Sequence, residues 1–209
     1  MQIDVISDTV CPWCFIGKRR LERAMAVRPQ IPFTVNWRPF RLDPGIPRGG
    51  VDRKAYMKAK FGEGADLSAM ADALRVAAET ENIHIDLDRI VTRPDSVDSH
   101  RLIRWALSDG LQSEVAELLF RAYFSEGRDI GDPRVLADIG EYCGLDRAVV
   151  TELLAGDADR DLVEQEDAMA HRMGITGVPT FIFANKYMIS GAHPAEQIVQ
   201  IIDKVQADL

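Results

Sequence analysis

Two cysteines separated by two residues, Cys11-Pro12-Trp13-Cys14, stand where an N-terminal apolar alternation gives way to a helical pattern. Thiol chemistry is the first reading, because a thiolate attacks a disulfide only if it is accessible, deprotonated and followed by a second thiol that resolves the mixed disulfide. Cys11 falls at the amino end of the expected helix, where unpaired N–H groups and the positive end of the helix dipole stabilise an anion. Cys14 follows one turn later and is expected to be the more buried. Cys11 is therefore the candidate nucleophile and Cys14 the candidate resolving thiol.

Half of a zinc site is the competing reading, and it needs two further ligands. The chain has no second Cys-x-x-Cys; Cys143 and four histidines are the remaining soft donors. Pro-Trp between the thiols and a strand before them favour redox chemistry, so no metal is expected. Cys143 shares an apolar helical face with Val135, Leu136 and Ile139 and reads as a small buried hydrophobe. Asp8, three residues before Cys11, is a candidate proton relay to Cys14 or a cap for the helix that begins there. Trp13 and Phe15 offer apolar surface for a substrate rim, with Phe15 equally suited to the core. A second run, Gly174-Ile175-Thr176-Gly177-Val178-Pro179-Thr180-Phe181, precedes a strand, where proline is tolerated at the first residue. Spacing alone favours an ordinary trans bond before Pro179, since cis accounts for only about 5–6% of X-Pro bonds in folded proteins.

The elements that must position these residues follow from periodicity. Gln2 to Ser7 alternates as a strand, and Phe33, Val35 and Trp37 share one face of a second. Between them a helix is predicted from Pro12 to Val27, with Ile16, Leu21, Ala24 and Met25 toward the sheet and Lys18, Arg19, Glu22 and Arg23 toward water. Pro12 suits the first helical position. Strands return at residues 180–183 and 186–190, joined by a turn near Ala184-Asn185, and a last amphipathic helix starts after Pro194 with Ile198, Ile201, Ile202 and Val205 on one face. The long interval between carries repeated helix starts and stops. Asp66 can cap a helix carrying Leu67, Met70, Ala71 and Leu74, and Val115, Leu118, Leu119 and Ala122 follow the same period in another. Asp132-Pro133 opens a helix that Gly144 closes, Asp146 opens one that stops at Gly156, and another ends at Gly174. Two more are predicted near residues 52–61 and 96–107. The expected fold is α/β, a thioredoxin-like layer of residues 1–45 and 174–209 interrupted by an all-helical insert of residues 46–173.

The totals agree with this. A chain of 209 residues, 46% hydrophobic, can bury a substantial core without disulfide staples. Its net charge of −8 argues against nucleic acid or an anionic membrane as partner. The acidic run at 157–167 lies at a helix start and reads as dipole stabilisation rather than a metal site. No apolar run approaches the roughly 18 residues of a membrane span, and no charged and apolar leader pattern precedes Ile3. Three cysteines, an odd number, are not a secreted disulfide framework, which points to the cytoplasm.

Several segments, in order along nearly the whole chain, resemble one family: residues Ser7 to Lys18, Trp37-Arg38-Pro39-Phe40, His100-Arg101-Leu102, residues Gly177 to Phe181, and Ser190-Gly191-Ala192. Together they are similar to the FrnE-like branch of the DsbA family. The resemblance implies a thioredoxin layer with a helical insert, a cis Val178-Pro179 bond facing the cysteine pair, and a Val178 backbone that pairs with a bound peptide or thiol. It departs from the family at Pro94-Asp95-Ser96, Ser99-His100 and His193. Substrate contacts are therefore not carried over to Asp95, Ser96 or His193, and His100 reads as a structural hydrogen-bonding residue before a proton shuttle.

Dithiol-disulfide exchange with protein or small-molecule disulfides is thus the leading function, with Trp13, Val178 and Pro179 as substrate-binding candidates. No cofactor is expected beyond glutathione as a thiol donor, and a homodimer is compatible. Because Pro12-Trp13 provides no protonatable ring, behaviour less oxidising than that of DsbA is expected. The fold also resembles kappa-class glutathione transferases and 2-hydroxychromene-2-carboxylate isomerases. Those carry serine where Cys11 stands, and the kappa type has a Ser-Asp pair where this chain has Ala192-His193. A chaperone-like peptide binder with incidental thiols is the third reading.

Overall fold

The structure, a computed structural model, describes residues 1–208. It opens with β1 (Gln2–Ser7), α1 (Pro12–Ala26) and β2 (Thr34–Pro39), a parallel strand-helix-strand unit with Ile3 opposite Val35 and Val5 opposite Trp37. It closes with β5 (Thr180–Phe183), β6 (Tyr187–Ser190) and α9 (Ala195–Ala207). β5 runs antiparallel to both β1 and β6, so the sheet order is β2-β1-β5-β6. This is the expected thioredoxin-type layer. Continuous burial of Ile3 to Ser7 and the run Thr-Phe-Ile-Phe in β5 reflect central strands covered on both faces. The hairpin turns on residues 184–186, with Ala184 and Asn185 at positive φ.

Between β2 and β5 lie a two-residue ribbon of β3 (Val51–Asp52) and β4 (Thr92–Arg93) and seven helices: α2 (Arg53–Phe61), α3 (Ser68–Thr80), α4 (Val97–Trp105), α5 (Gln112–Phe120), α6 (Pro133–Tyr142), α7 (Arg147–Ala155) and α8 (Arg160–Arg172). The carboxylates of Asp52, Asp132 and Asp146 accept N–H groups in the first turns of α2, α6 and α7. Gly144 and Gly174 follow α6 and α8 at positive φ.

One apolar core runs from the sheet through α1 into the helices, and Phe15 stacked on Phe120 at 5.3 Å is its joint. A smaller cluster of Ile6, Phe40, Ala170 and Ile175 covers the opposite face of the sheet.

Two expected helix faces are corrected. Lys18, expected toward water, is buried, with its ammonium 3.0 Å from Glu117 on α5 and paired also to Glu22. α5 packs on that side of α1, so a cation there is sheltered and matched by carboxylates. α3 buries Leu74, Ala77 and Ala78, while Met70 and Ala71 are exposed, because its first turns overhang a cavity rather than the core. Asp66 accepts the Ser68 N–H at 2.9 Å but lies one residue before the N-cap, Leu67. The two-residue ribbon and a π-turn at Arg121–Ser125 extending α5 had no sequence signal.

Arg101 is the largest fully buried side chain. Its guanidinium donates to the carbonyls of Ala158 at 2.6 Å, Leu153 at 2.6 Å and Gly156 at 2.9 Å and to Asp98 at 2.8 Å, tying α4 to the α7–α8 connection. Arg101→Met, similar in volume but without donors, leaves those oxygens unmatched. It is expected to lower unfolding stability by about 3–5 kcal/mol in a urea titration. A loss below about 1 kcal/mol would show that these carbonyls need no donor.

Candidate active site

Cys11 is the N-cap of α1 and Pro12 its first helical residue, so no N–H is wasted at that position. The turn before it closes through Cys11 N–H to Asp8 O at 3.0 Å, and the helix starts with Cys14 N–H to Cys11 O at 3.0 Å. Both thiols are unbridged, with Cys11 5% and Cys14 1% exposed. The Cys11 Sγ lies 3.6 Å from the Val178 carbonyl oxygen. Burial pushes the Cys14 thiol well above its ordinary range, and the Cys11 sulfur pushes it the same way. The Ser7 hydroxyl and the Asp8 N–H oppose this more weakly. Ser7 Oγ has no hydrogen-bonded nitrogen or oxygen partner among the described residues. The pair is therefore asymmetric: one sulfur at the helix end facing a cavity, the other sealed beneath it.

The turn that carries the two cysteines is fixed from behind. Asp8, fully buried, accepts Leu42 N–H at 2.8 Å on one oxygen and Val10 N–H at 3.4 Å on the other. His100 Nε2 stands 3.6 Å from that second oxygen, beyond hydrogen-bond length, so their contact is electrostatic. Burial alone would raise the Asp8 pKa. His100, Arg93 and the Leu42 N–H outweigh it and hold the carboxyl below its ordinary value. Thr9 Oγ1 pairs with Ser99 Oγ of α4 at 2.7 Å. Asp8 and Thr9 thus anchor the turn to α4 and to the chain after β2.

The facing loop ends in a cis Val178–Pro179 bond, with Thr180 Oγ1 donating to Gly177 O at 2.8 Å and Gly191 N–H to Pro179 O at 2.7 Å. Gly17, one turn after Cys14, makes room for it: a Cβ there would lie 2.8 Å from Pro179 Cγ and 3.1 Å from Phe181 Cζ. Helical glycine ordinarily costs about 1 kcal/mol against alanine. Here that cost permits the close approach of α1 to the Pro179 loop.

A cavity of about 360 Å³ opens over Cys11, with Trp13 and Val178 at its floor and Met57, Leu74 and Ile90 among its walls. The structure thus brings together Cys11, Cys14, Trp13, Val178 and Pro179, with Asp8 directly beneath. Phe15 is core, and Cys143 is a half-buried residue at the end of α6, away from this cavity. Asp95 is held by Arg41 at 2.9 Å and Arg160 at 3.5 Å. Ser96 O accepts Ser99 Oγ at 2.7 Å, and His193 binds Ser190 O and Gln197, each at 2.9 Å. Arg53, Tyr56, Lys60 and Arg93 also line the cavity. Only the basic character of residues 53–60 hints at this in the sequence.

The depressed Asp8 carboxyl carries a pH signature. Its stabilising effect is complete above its ordinary value, near pH 4, and disappears as pH falls through the lower folded value. Asp8→Asn is expected to be less stable than the parent at pH 7, and the gap to close as the pH drops below about 4. Urea midpoints across pH 2–7 check this; a gap that persists unchanged at pH 2 would contradict it.

The sequence matches the DSBA-like thioredoxin domain over residues 2–203. A probable DsbA oxidoreductase from Streptomyces coelicolor has a similar structure, with a TM-score of 0.90 at 30% identity, covering 100% of this chain and 91% of its own. The cytosolic disulfide reductase DsbM from Pseudomonas aeruginosa, with GSH, aligns at TM-score 0.68 and 21% identity, covering 100% of both chains. A 2-hydroxychromene-2-carboxylate isomerase aligns at TM-score 0.75 and 16% identity, covering 100% of this chain and 97% of its own. The last two likenesses show the fold alone. By its near full-length family match and its 30% identity to the Streptomyces protein, this chain belongs to the family of the DSBA-like thioredoxin domain.

Proposed function

We propose that the chain is a thiol-disulfide oxidoreductase that cycles Cys11 and Cys14 between dithiol and disulfide, exchanging electrons with protein disulfides or low-molecular-weight thiols. The observation that carries this is the asymmetric pair. Cys11 caps α1 at the cavity floor, and Cys14, with its pKa pushed up by burial, sits one turn below. Cys11 attacks one sulfur of the substrate, the substrate S–S bond breaks, and one thiolate leaves. The Cys14 thiol then loses its proton to the departed thiolate or to water and attacks Cys11. That step releases the second substrate thiol and leaves a Cys11–Cys14 disulfide. A raised Cys14 pKa suits this order, since a protonated resolving thiol does not compete for the incoming disulfide.

Val178 and Pro179 present backbone to the bound sulfur's neighbours, and Trp13 supplies an apolar wall. Asp8 acts as the anchor of the turn: its oxygens are occupied by two N–H groups, and its lowered pKa makes it a weak proton acceptor. No cofactor is required beyond the thiols. Glutathione is a suitable electron donor, and the cytoplasm is the compartment in which such a reductant is abundant. No helix among the described residues is long and apolar enough to cross a membrane.

The isomerase or transferase reading lacks its serine at Cys11, and His193, in place of the kappa-type pair, is bound to Ser190 and Gln197. A chaperone-like role would use the apolar cavity without the sulfurs. Reduction of insulin with glutathione or dithiothreitol separates the three. Cys11→Ser is expected to lose roughly a hundredfold or more of the catalysed rate. Cys14→Ser is expected to accumulate a Cys11 mixed disulfide. Parent-like rates in both variants, or isomerase activity that survives both, would overturn the proposal.

A further inference from the structure

The cavity over Cys11 has a charge pattern opposite to that of the protein. The chain carries a net charge of −8, yet the lining includes Arg53, Lys60 and Arg93 and no carboxylate. α2, with the sequence Arg-Lys-Ala-Tyr-Met-Lys-Ala-Lys-Phe, has four cations and no acid. Its cavity residues, Arg53, Tyr56, Met57, Lys60 and Phe61, are spaced three and four apart and form one face, and none of them is buried by the rest of the protein. The helix therefore presents a basic and apolar face to the space above the nucleophile.

Arg93 is the inner cation, 6% exposed. Among the described residues one hydrogen bond is made by its five donors, to Pro94 O at 3.3 Å. Its guanidinium lies over the Tyr56 ring at 5.2 Å. The nearest carboxylate, Asp43, is 3.7 Å away and already takes Lys60 Nζ at 2.7 Å and the Tyr56 hydroxyl. Arg53 has no side-chain hydrogen bond or ion pair among the described residues. A buried guanidinium with unused donors beside apolar walls is matched by a carboxylate on an apolar body, because Arg binds carboxylates through two parallel hydrogen bonds.

We infer that the preferred substrate of the Cys11 site is a low-molecular-weight disulfide whose apolar body carries a carboxylate, held by Arg93 with Arg53 and Lys60 at the rim. This rests on the exchange reading above and names its substrate class. The Cys11 thiolate forms a bond to one substrate sulfur as the substrate S–S bond breaks, and the carboxylate-bearing fragment leaves as a thiolate. Cys14 gives its proton to the departed thiolate or to water and attacks Cys11, forming the Cys11–Cys14 disulfide as the second thiolate departs. Two electrons thus pass from the dithiol to the substrate, and a thiol donor such as glutathione then restores the dithiol. The cavity, about 360 Å³, suits one such fragment rather than a folded chain.

Stopped-flow oxidation by dithiobis(nitrobenzoate), anionic, and dithiodipyridine, neutral, tests this in a Cys143→Ser background, each rate divided by that of the same disulfide with a free cysteine derivative. The normalised preference for the anionic disulfide is expected to be about tenfold at low salt, within the range that a one-sign cleft gives. Arg93→Met should reduce that preference about fivefold, and Arg93→Lys, which keeps the charge but loses the paired hydrogen bonds, should keep only part of it. If Arg93→Met does not fold, the doubly substituted Arg53→Gln/Lys60→Gln protein should show a smaller loss of the same preference. A parental preference near one, or one unaffected by these substitutions, would overturn the inference. Discrimination seen only between peptide disulfides flanked by Glu or Lys, and not between the small pair, would overturn it in favour of a protein partner. Failure of Cys11 to react with either disulfide faster than a free thiol would reject the exchange reading itself.

Discussion

The distance between α1 and the loop that ends at Pro179 controls the site. Gly17 offers no Cβ, so the proline ring and Phe181 approach the helix, and the Val178 carbonyl comes within 3.6 Å of the Cys11 sulfur. A helix end supplies unpaired N–H groups, but only this approach places a backbone acceptor and an apolar wall opposite the sulfur. Packing at interior density transmits that spacing, since a shift of a few tenths of an ångström is resisted by Phe15, Phe120 and the central strands.

The same turn must be held from its buried side, where four polar side chains replace apolar packing. Asp8 takes two N–H groups and faces His100, and Thr9 meets Ser99. A buried carboxylate is tolerated only when its lone pairs are matched and a cation is near, and Arg93 meets the second condition. Arg93 thereby links the anchor beneath the cysteines to the cavity above them. Arg101 does comparable work farther off, matching three carbonyls at a chain reversal that no regular element satisfies.

Much of this is legible in the amino-acid sequence. Alternation in β1 and β2, proline at the start of α1 and the Asp-capped helices after Asp132 and Asp146 are local signals, and local signals determine local structure. Cys11 and Cys14 were legible because their spacing is itself the chemistry. Gly17 carries no signal of its role in the sequence because the loop it accommodates lies 162 positions later, at Pro179. Lys18 is buried and Met70 exposed, against expectation, for a related reason. Periodicity shows which residues share a face and not what that face meets. The walls of the cavity, which include α2, α3, β4 and the π-turn after α5, come from segments far apart in sequence, and none of them advertises it alone.

The central claim is that Cys11 and Cys14 form one reversible two-electron couple. Equilibrium titration of the protein against reduced and oxidised glutathione, with the Cys11–Cys14 bond followed by mass after acid trapping, tests it most directly. The account predicts a single transition between dithiol and intramolecular disulfide, with a tenfold change in the equilibrium ratio for every ~30 mV. Separate titration of the two thiols, or glutathione retained on Cys11 without closure to Cys14, would contradict it.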